Sequence, residues 1–473
     1  MRLPDIFLKE MQGFFGSHKD IPEEGFIDSF DEPGYKGIRF SQSKTDVSDR
    51  EKILADIGEH TDKVDWCSCG YYVPEEFSNR NPYYHAGVYY PQEPSAMLPA
   101  EVLDAKPGEV ILDLCAAPGG KACRIGEDLQ GKGLLVANEI SFERSKALLR
   151  NIERSGIANS VILNENPDNI AASLPGFFDK ILIDAPCSGE GMFRRDHQAV
   201  KSYEEYGPSK IVPVQKDILE AAHICLKEGG EIVYSTCTFC EDENEGQISA
   251  FIGRHPEYEV IAHPEIKGVW HNGETSALPG SMRILPHLAK GDGHFCVHIR
   301  KAGASTDTDP GMPSKDKLKA TERKGIELAK AFLGELLGDD SDELTDIPLT
   351  IHGTGVFRIP FDEKLFGRLK IVKTGLYIGD IRISAGKTLF APSNSIALSL
   401  DTEKIRKDSC ISLAYGDERI TRYLKGETIS ISGISGIKSS GYVVIGVDKY
   451  PLGLGKISGS SVKNLYPKAW RMM

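Results

Sequence analysis

Short apolar runs alternate with segments of helical spacing through the middle of the chain, from Asp104 to about Arg300. Each run is short and apolar enough for a strand that is buried on both faces of a sheet. The runs are VILDLCA (110–116), LLVANEI (134–140), SVILNE (160–165), KILIDAP (180–186) and EIVYSTCT (231–238). This alternation predicts an α/β fold, with a doubly wound parallel sheet and crossover helices.

The segment after the second run has clear helical spacing. Its apolar residues fall on roughly one side of a helix, and they are Phe142, Leu148, Leu149 and Ile152. Ser141 is a suitable N-cap and Gly156 is a suitable C-terminal stop. We therefore expect a helix between Ser141 and Gly156.

The pattern changes after the fifth run. Met282 to Leu285 and His294 to Arg300 flank a glycine-bearing segment, which predicts an antiparallel pair that closes the sheet. Lys301 to Lys319 is polar and rich in Gly, Ser, Thr, Asp and Pro, a composition typical of a linker.

The remaining segments are less regular. The first ninety or so residues form a mixed segment with a helical start. A helical stretch is expected around 322–337, followed by β-like runs between glycines from Leu349 to the C-terminus. Strands are expected within 429–437 and 442–447.

The length of 473 residues allows two to four domains. The longest apolar runs fall short of a membrane span, and acidic residues interrupt the N-terminal sequence where a signal peptide would be apolar. Ten cysteines are too few for a disulfide scaffold in a chain of this size. We therefore expect a cytoplasmic protein with no membrane partner.

Cysteine spacing offers weak support for a metal. Cys67 and Cys69 together with Cys237 and Cys240 could suggest zinc. One pair has the spacing C-x-C, however, and the other continues a buried strand, so we expect no metal site.

The formal net charge of −13 argues against broad, nonspecific binding to polyanions. Selective binding to nucleic acid stays open, because basic residues can cluster locally. Arg194 with Arg195 is one such cluster, and KNLYPKAWR (463–471) is another.

The loop CAAPGGK follows the first predicted strand, where a cofactor lies against the N-terminus of the next helix in a doubly wound fold. It lacks the G-x-G-x-x-G spacing of dinucleotide sites, so a nicotinamide cofactor is the weaker interpretation. The candidate cofactor-binding residues of the loop are Cys115, Ala116, Ala117, Pro118, Gly119, Gly120 and Lys121.

Later strand ends add polar side chains at the same edge of the sheet. Glu139 ends the second run, where a carboxylate can accept hydrogen bonds from both ribose hydroxyls of a nucleoside. Asn166 follows the third run and Asp184 ends the fourth, where an amide or a carboxylate can bind an adenine amino group.

Two cysteines follow strand ends beside this loop, Cys187 in DAPCSGEG and Cys237 in STCTF. A thiolate that adds to carbon 6 of a pyrimidine activates carbon 5, so that a cofactor can deliver a group to it. The reaction also needs a hydrogen-bond donor near ring nitrogen 3 and a base for the proton on carbon 5. The residues alone do not decide which thiol attacks.

Together, CAAPGGK, DAPCSGEG and STCTF resemble the motifs of the Sun-type RNA cytosine-C5 methyltransferases. Their arrangement is similar to the RsmF-like bacterial branch, which acts on ribosomal RNA. The resemblance covers about Gln92 to Arg300, including QEPSAMLPAEVLDAKPGE and GMFRRD. It implies a class I, Rossmann-like methyltransferase core that uses S-adenosyl-L-methionine.

The resemblance also implies roles for the matching residues. Cys237 would be the nucleophile and Cys187 would assist product release, although DNA cytosine methyltransferases use the cysteine that follows proline. Asp184 would contact the cytosine, and Lys121 would help to hold the catalytic pocket. Asn166 stands where many members carry aspartate, and its amide could still bind adenine.

A cytosine within a helix must be swung out before a thiol can reach it. The loop from Gly189 to Arg195 combines flexible glycines with two cations. We expect it to flank the extruded base, with Arg194 and Arg195 as RNA contacts.

The family resemblance divides the chain into five parts. They are an N-terminal RNA-binding α+β segment (1–95), the methyltransferase catalytic domain (96–300), a linker and helix (301–345), a small α+β segment (346–400) and a β-rich, PUA-like RNA-binding module (401–473).

The implied function is methylation of carbon 5 of a cytosine in RNA by a monomer, with ribosomal RNA or a ribosomal subunit as the expected partner. A transfer-RNA enzyme and a non-catalytic, RNA-binding assembly factor are the alternatives.

Overall fold

The computed structural model describes residues 3–59, 61–274, 276–304, 310–311, 318–338, 341, 344, 346 and 349–472. Much of the predicted linker, residues 305–309 and 312–317, lies outside this range. Within the described residues, no helix is long and apolar enough to cross a membrane.

The N-terminal segment packs helices against a small antiparallel sheet. The elements are α1 (Asp5–Ser17), β1 (Lys36–Phe40), α2 (Val47–Asp56), β2 (Gly70–Val73), α3 (Pro82–His85), β3 (Tyr89–Pro91) and α4 (Leu98–Leu103). The strand order is β2-β1-β3, and both pairings are antiparallel.

Aromatic side chains of this segment pack against the loops that carry Cys187 and Cys237. Helix α1 buries Phe7, whose ring centroid lies 5.3 Å from that of Phe193. The ring of Phe26 lies 5.3 Å from that of Phe239 at an edge-to-face angle. Buried aromatic pairs of this kind stabilise through large apolar contact areas, so the N-terminal segment supports both thiol loops.

The central sheet has ten strands within the described residues. Its parallel strands are β4 (Val110–Asp113), β5 (Leu134–Asn138), β6 (Ser160–Leu163), β7 (Phe178–Asp184) and β8 (Leu226–Thr236). They lie in the order β6-β5-β4-β7-β8. The helices between and after them are α5 (Gly120–Asp128), α6 (Phe142–Ser155), α7 (Pro167–Ser173), α8 (His197–Cys225) and α9 (Glu245–Arg254).

Both faces of these strands are buried, which confirms the doubly wound prediction. Along β4, Ile111 packs into the cluster that contains Leu148 of α6, whereas Leu112 packs into the cluster that contains Leu219 of α8. Successive strand side chains point to opposite faces, so a run of apolar residues serves two layers of helices.

Helix α6 is the helix that the apolar spacing predicts. The Ser141 side chain accepts a hydrogen bond from Arg144 N and caps its start. Gly156 ends it at a φ of 78°, a left-handed conformation that favours glycine.

Antiparallel strands close one edge of the sheet, as predicted. They are β9 (Tyr258–Val260), β10 (Trp270–His271), β11 (Met282–Ile284) and β12 (His294–Lys301). Strand β12 pairs with β8 on one side and with β11 on the other.

The C-terminal part contains two further sheets. Its elements are α10 (Ala320–Leu337), β13 (Leu349–His352), β14 (Gly355–Arg358), β15 (Ile371–Thr374), β16 (Leu376–Ser384), β17 (Lys387–Pro392), α11 (Ser395–Leu398), β18 (Cys410–Leu413), α12 (Glu418–Leu424), β19 (Ile429–Ser430), β20 (Gly441–Val447), β21 (Tyr450–Ser458) and β22 (Ser461–Asn464). One sheet has the order β13-β14-β16-β17, and the other has the order β18-β20-β21-β22-β19.

Two features of this part differ from the sequence pattern. Strand β15 leaves the local hairpins and pairs antiparallel with β6, so it extends the central sheet. The strand expected within 429–437 is shorter than predicted and consists only of β19. Gly433 and Gly436 adopt positive φ values of 81° and 78°, and the chain turns at these residues.

The N-terminal segment is in contact with the last β-rich module of the chain. The Tyr83 and Tyr415 rings stack with centroids 5.1 Å apart, and Lys52 Nζ lies 2.8 Å from Asp448 Oδ2. The N-terminal segment therefore packs on the last β-rich module as well as on the central sheet.

Candidate active site

A cavity of about 450 Å³ lies at the carboxyl ends of β4, β5, β6 and β7. Ligands of open α/β sheets bind at this edge, where the strand order reverses between β4 and β7. The volume is within the range of small-molecule sites. The predicted residues in its wall are Cys115, Ala117, Glu139, Asn166, Asp184, Cys187 and Cys237.

The other residues of the CAAPGGK loop do not line this cavity in the described part of the chain. They are Ala116, Pro118, Gly119, Gly120 and Lys121. Gly119 precedes α5 at a φ of 113°. A Cβ atom at this position would lie 3.1 Å from Leu148 Cδ1. Glycine is therefore required here for both the backbone conformation and the close approach to α6.

The two candidate thiols face each other at one end of the cavity. Cys187 Sγ lies 3.2 Å from Cys237 Sγ, although the two residues follow different strands. Hydrogen bonding to Cys237 and burial raise the pKa of the Cys187 thiol well above its ordinary value. A Cys187 that keeps its proton can donate a hydrogen bond to the Cys237 sulfur, so the environment makes the two thiols unequal.

Hydrogen bonds hold the two thiol loops side by side. Glu243 accepts a hydrogen bond from Ser188 N at 3.0 Å, and Ser188 Oγ lies 2.8 Å from Thr238 Oγ1. The carbonyl of Cys237 accepts a hydrogen bond from Gly191 N at 2.9 Å. Because each loop bonds to the other, the distance between the thiols is set by the backbone rather than by free side chains.

Asp184 has three polar neighbours beside the thiols. Lys121 Nζ lies 2.8 Å from Asp184 Oδ2, Ser235 Oγ donates to Oδ1 at 3.1 Å, and His294 Nε2 lies 3.7 Å from Oδ1. Burial alone would raise the pKa of Asp184, but the charge of Lys121 and the neighbouring His294 outweigh it and lower the pKa. The carboxylate is thus ionised and held in one orientation in the cavity wall.

Asp113 ends β4 just before the CAAPGGK loop. It is 1% exposed, and neither carboxylate oxygen has a hydrogen-bond partner among the described residues. Burial, with a contribution from the charge of Asp184, raises the pKa of Asp113 to about 8. A buried carboxylate without a partner is costly in its ionised form.

Asp113→Asn is expected to reduce the pH dependence of stability. The folded chain binds the Asp113 proton more strongly than the unfolded chain between about pH 4 and pH 8, so the free energy of unfolding falls as pH rises through this window. One such group contributes a slope of at most about 1.4 kcal/mol per pH unit. Chemical unfolding at several pH values should show a shallower slope for Asp113→Asn than for the exposed control Asp104→Asn. Equal slopes would contradict the assignment.

The candidate cofactor contacts on β5 and β6 are held by local hydrogen bonds. Glu139 is 2% exposed, and its Oε1 accepts a hydrogen bond from Ser141 N at 2.8 Å. Asn166 lines the cavity and also caps α7, because its Oδ1 accepts from Asp168 N at 3.0 Å. The neighbouring Glu165 instead accepts a hydrogen bond from Lys370 N, beside strand β15.

Arg194 and Arg195 join the loop after β7 to the N-terminal segment. Arg194 Nη1 lies 3.2 Å from Asp292 Oδ1, and its Nη2 donates to Ser29 O at 2.7 Å. Arg195 pairs with Asp292 and donates to Tyr35 O. The Arg194 side chain is only 1% exposed, so its placement indicates a structural contact and does not support the predicted contact with RNA.

Sequence reasoning missed several residues of the cavity wall. Val214, Asp217 and Ile218 come from α8, which reaches the cavity only through tertiary packing. Asn138 immediately precedes Glu139, and a polar residue at the end of an apolar strand was a usable signal. His294 does not line the cavity but lies 3.7 Å from Asp184, and no local signal predicts this contact because it depends on the pairing of β12 with β8.

Three family models match successive parts of the chain. Residues 100–300 match the model for the 16S rRNA methyltransferases RsmB/F. Residues 3–94 match the N-terminal domain of the 16S rRNA methyltransferase RsmF, and residues 410–472 match the RsmF PUA domain.

Full-length relatives show the same similarity. The chain is 30% identical to a ribosomal RNA small subunit methyltransferase F from Vibrio atlanticus, over 98% of this chain and 97% of the relative. It is 29% identical to the protein of the same name from Shewanella piezotolerans, over 97% and 96% of the two chains.

Solved structures share the core. A methyltransferase homologue from Pyrococcus horikoshii superposes with a TM-score of 0.52 at 27% identity, over 63% of this chain and all of that chain. NSun6 from Pyrococcus horikoshii, solved with SFG, gives a TM-score of 0.52 at 20% identity over 64% and 99% of the two chains, which supports the fold alone.

Proposed function

This chain belongs to the RsmF family of 16S rRNA methyltransferases, and from this premise we propose that it methylates carbon 5 of a cytosine through a covalent cysteine adduct. The observation that carries the proposal is the 3.2 Å separation of Cys187 Sγ and Cys237 Sγ at one end of the cavity that Asp184 also lines. A thiol that attacks and a second thiol beside it fit a reaction in which a bond to carbon 6 first forms and then breaks.

The cavity fits S-adenosyl-L-methionine, which supplies an electrophilic methyl group when bound. Its volume of about 450 Å³ suits a nucleoside-bearing ligand. Glu139 and Asp184 contribute carboxylates to its wall, and carboxylates attract a cationic ligand. We assign Glu139 to the ribose hydroxyls and Asn166 to the adenine, with the backbone of Cys115 to Lys121 beside them.

Glu139→Ala is expected to weaken the binding of S-adenosyl-L-homocysteine by about tenfold or more, because hydrogen bonds to a charged group contribute about 1.5–3 kcal/mol. Isothermal titration calorimetry of the full chain measures this affinity. Glu139→Gln keeps the shape of the side chain and tests the charge alone. Glu143→Gln, which changes an exposed carboxylate in the first turn of α6, is the control. Unchanged affinity in both Glu139 variants would contradict the ribose assignment.

The thiols act in sequence in the proposed reaction. The Cys237 thiolate adds to carbon 6 of the cytosine, and the electron pair that reaches carbon 5 would form a bond to the methyl group while the bond between that methyl group and the cofactor sulfur breaks, which would leave S-adenosyl-L-homocysteine. A base then removes the proton from carbon 5, the carbon–sulfur bond breaks, and Cys237 leaves as a thiolate. We assign Cys187 to this release step, because hydrogen bonding to Cys237 and burial raise its pKa and the protonated thiol can donate a hydrogen bond to the departing Cys237 sulfur 3.2 Å away.

Asp184 and Lys121 orient the base in this scheme. The carboxylate of Asp184 can accept a hydrogen bond from the cytosine amino group while Lys121 and Ser235 hold it in place. We assign Lys121 to this positioning because its ammonium bonds to Asp184 and the side chain is only 8% exposed.

The substrate is proposed to be 16S rRNA, in keeping with the family. The test incubates the full chain and S-adenosyl-L-methionine with unmodified 16S rRNA, small ribosomal subunits or transfer RNA, followed by bisulfite sequencing. Protection of one cytosine in rRNA or in the subunit supports the proposal. Protection only in transfer RNA would identify the other substrate class, and absence of both methylation and cofactor binding would indicate a non-catalytic assembly factor.

A further inference from the structure

We propose that His223, His255 and Glu257 form a binding site for a divalent transition-metal ion. One potential ligand atom from each residue lies within 4.8 Å of those from the other two. Glu257 Oε1 lies 3.9 Å from His223 Nδ1 and 3.8 Å from His255 Nδ1. The three residues lie at the C-terminal end of α8, directly after α9 and just before β9, and none of them lines the cavity that contains Cys187 and Cys237.

The distances between the potential ligand atoms suit a metal ion that prefers tetrahedral coordination. Zinc binds imidazole nitrogen and carboxylate oxygen at about 2.0–2.1 Å, so adjacent ligand atoms lie about 3.3 Å apart at tetrahedral angles. The two Glu257–histidine separations exceed this spacing by about half an ångström, and the widest separation among the three ligand atoms, up to 4.8 Å, exceeds it by up to about 1.5 Å. Metal binding therefore requires rotation of the Glu257 side chain, which is 35% exposed, and of a histidine ring. Two imidazoles and one carboxylate leave a further position for water, a set typical of zinc, nickel or cobalt sites.

A second carboxylate orients His255. Glu220 Oε2 lies 2.8 Å from His255 Nε2, and Arg254 Nε donates to Glu220 Oε1 at 2.8 Å. When the carboxylate accepts a hydrogen bond from Nε2–H, the lone pair of neutral His255 is on Nδ1, the atom near Glu257. A carboxylate on the far nitrogen of a histidine is the usual outer support of a metal-bound imidazole.

His223 is positioned by packing. Its ring centroid lies 4.0 Å from that of His255, and its Nδ1 lies 3.1 Å from the hydroxyl of the buried Tyr258, a hydrogen bond that a metal ion on Nδ1 would replace. Burial and the neighbouring His255 lower the pKa of His223, which favours the neutral form that a metal requires. Lys301 also lowers this pKa, whereas Glu257 and Glu220 oppose the shift.

A second cluster of potential ligands does not share these properties. Cys67, Cys69 and Glu101 also lie close together. Arg124 Nη1 donates to Cys69 Sγ at 2.9 Å and lies 2.8 Å from Glu101 Oε1, so a guanidinium already neutralises this group. Among the contacts of the described residues, no lysine or arginine forms an ion pair with Glu257 of the histidine cluster, and the nearby Arg254 donates to Glu220 and to Ala250 O.

Cobalt titration of the full chain, after removal of metals with a chelator, tests the proposal. Visible absorption should report one Co²⁺ bound by nitrogen and oxygen, and Zn²⁺ should displace it. His255→Ala and Glu257→Gln are expected to weaken binding by at least about a hundredfold, and Glu220→Gln by about tenfold to a hundredfold. His352→Ala, which removes a histidine from a different carboxylate pair, is the matched control and should bind as the wild type.

Circular dichroism confirms that each variant is folded before titration. Failure of the wild type to bind Co²⁺ or Zn²⁺ would overturn the site. Wild-type affinity in the folded His255→Ala and Glu257→Gln variants would also overturn it. A thiolate-to-cobalt charge-transfer band that persists in these variants would instead place the metal on cysteines.

Discussion

Cys237→Ala is expected to lower methyl transfer by about a thousandfold or more, because it removes the proposed nucleophile. Cys187→Ala is expected to stop turnover at a later point, with the protein still joined to its RNA. The 3.2 Å contact between the two sulfurs gives both variants the same cavity and the same supporting loops, so their difference isolates the two roles.

Denaturing gels with RNA that contains 5-fluorocytidine measure the covalent adduct directly, since the fluorine blocks loss from carbon 5. Wild type and Cys187→Ala should form the adduct, and Cys237→Ala should not. Cys410→Ala removes a partly buried thiol from the C-terminal module and serves as the control, with wild-type adduct formation expected. An adduct in Cys237→Ala and none in Cys187→Ala would reverse the assignment.

Arg283→Met is expected to lower the free energy of unfolding by about 3–5 kcal/mol, because it leaves the buried carboxylate of Glu245 without its partner. The side chains of Arg283 and Glu245 are 1% and 2% exposed, and Arg283 Nε donates to Glu245 Oε1 at 3.0 Å. Arg283 Nη1 also donates to Phe239 O at 3.2 Å, next to the thiol loop. Chemical unfolding of the full chain measures the loss.

Two further variants separate the buried charge from simple loss of contacts. Arg283→Met combined with Glu245→Gln should be less destabilised than Arg283→Met alone, because no uncompensated charge remains. Arg300→Met breaks an ion pair with Glu231 on the neighbouring strand, where Arg300 is 48% exposed, and should cost less than about 1 kcal/mol. Equal losses for Arg283→Met and Arg300→Met would show that burial of the pair is unimportant.

Local sequence patterns predicted much of the core. The apolar runs predicted strands β4 to β8, and the capping residues Ser141 and Gly156 predicted where α6 begins and ends. These signals are local because strand burial and helix capping depend on residues close together in the chain. The CAAPGGK, DAPCSGEG and STCTF motifs also contain five of the predicted site residues that line the cavity, and the catalytic and cofactor-binding roles of these residues stay predictions.

Contacts between residues that are far apart in the sequence could not be predicted from such local signals. The addition of β15 to the central sheet leaves no periodic pattern, and the burial of Arg194 depends on Asp292 from a distant loop. The proposed metal site has the same origin, since His223 belongs to α8 and His255 directly follows α9. A histidine that stands alone in the sequence does not indicate which residues it will contact in the folded chain.

The sequence by itself determined the doubly wound core, the loop beside β4 and the presence of two strand-end thiols, because each follows from residues adjacent in the chain. Only the tertiary structure decided that Cys187 and Cys237 lie in contact, that Asp184 is held by Lys121, and that Arg194 is buried. The physical reason is that β7 and β8 are neighbours in the sheet but far apart in sequence, so their side chains meet only when the strands pair.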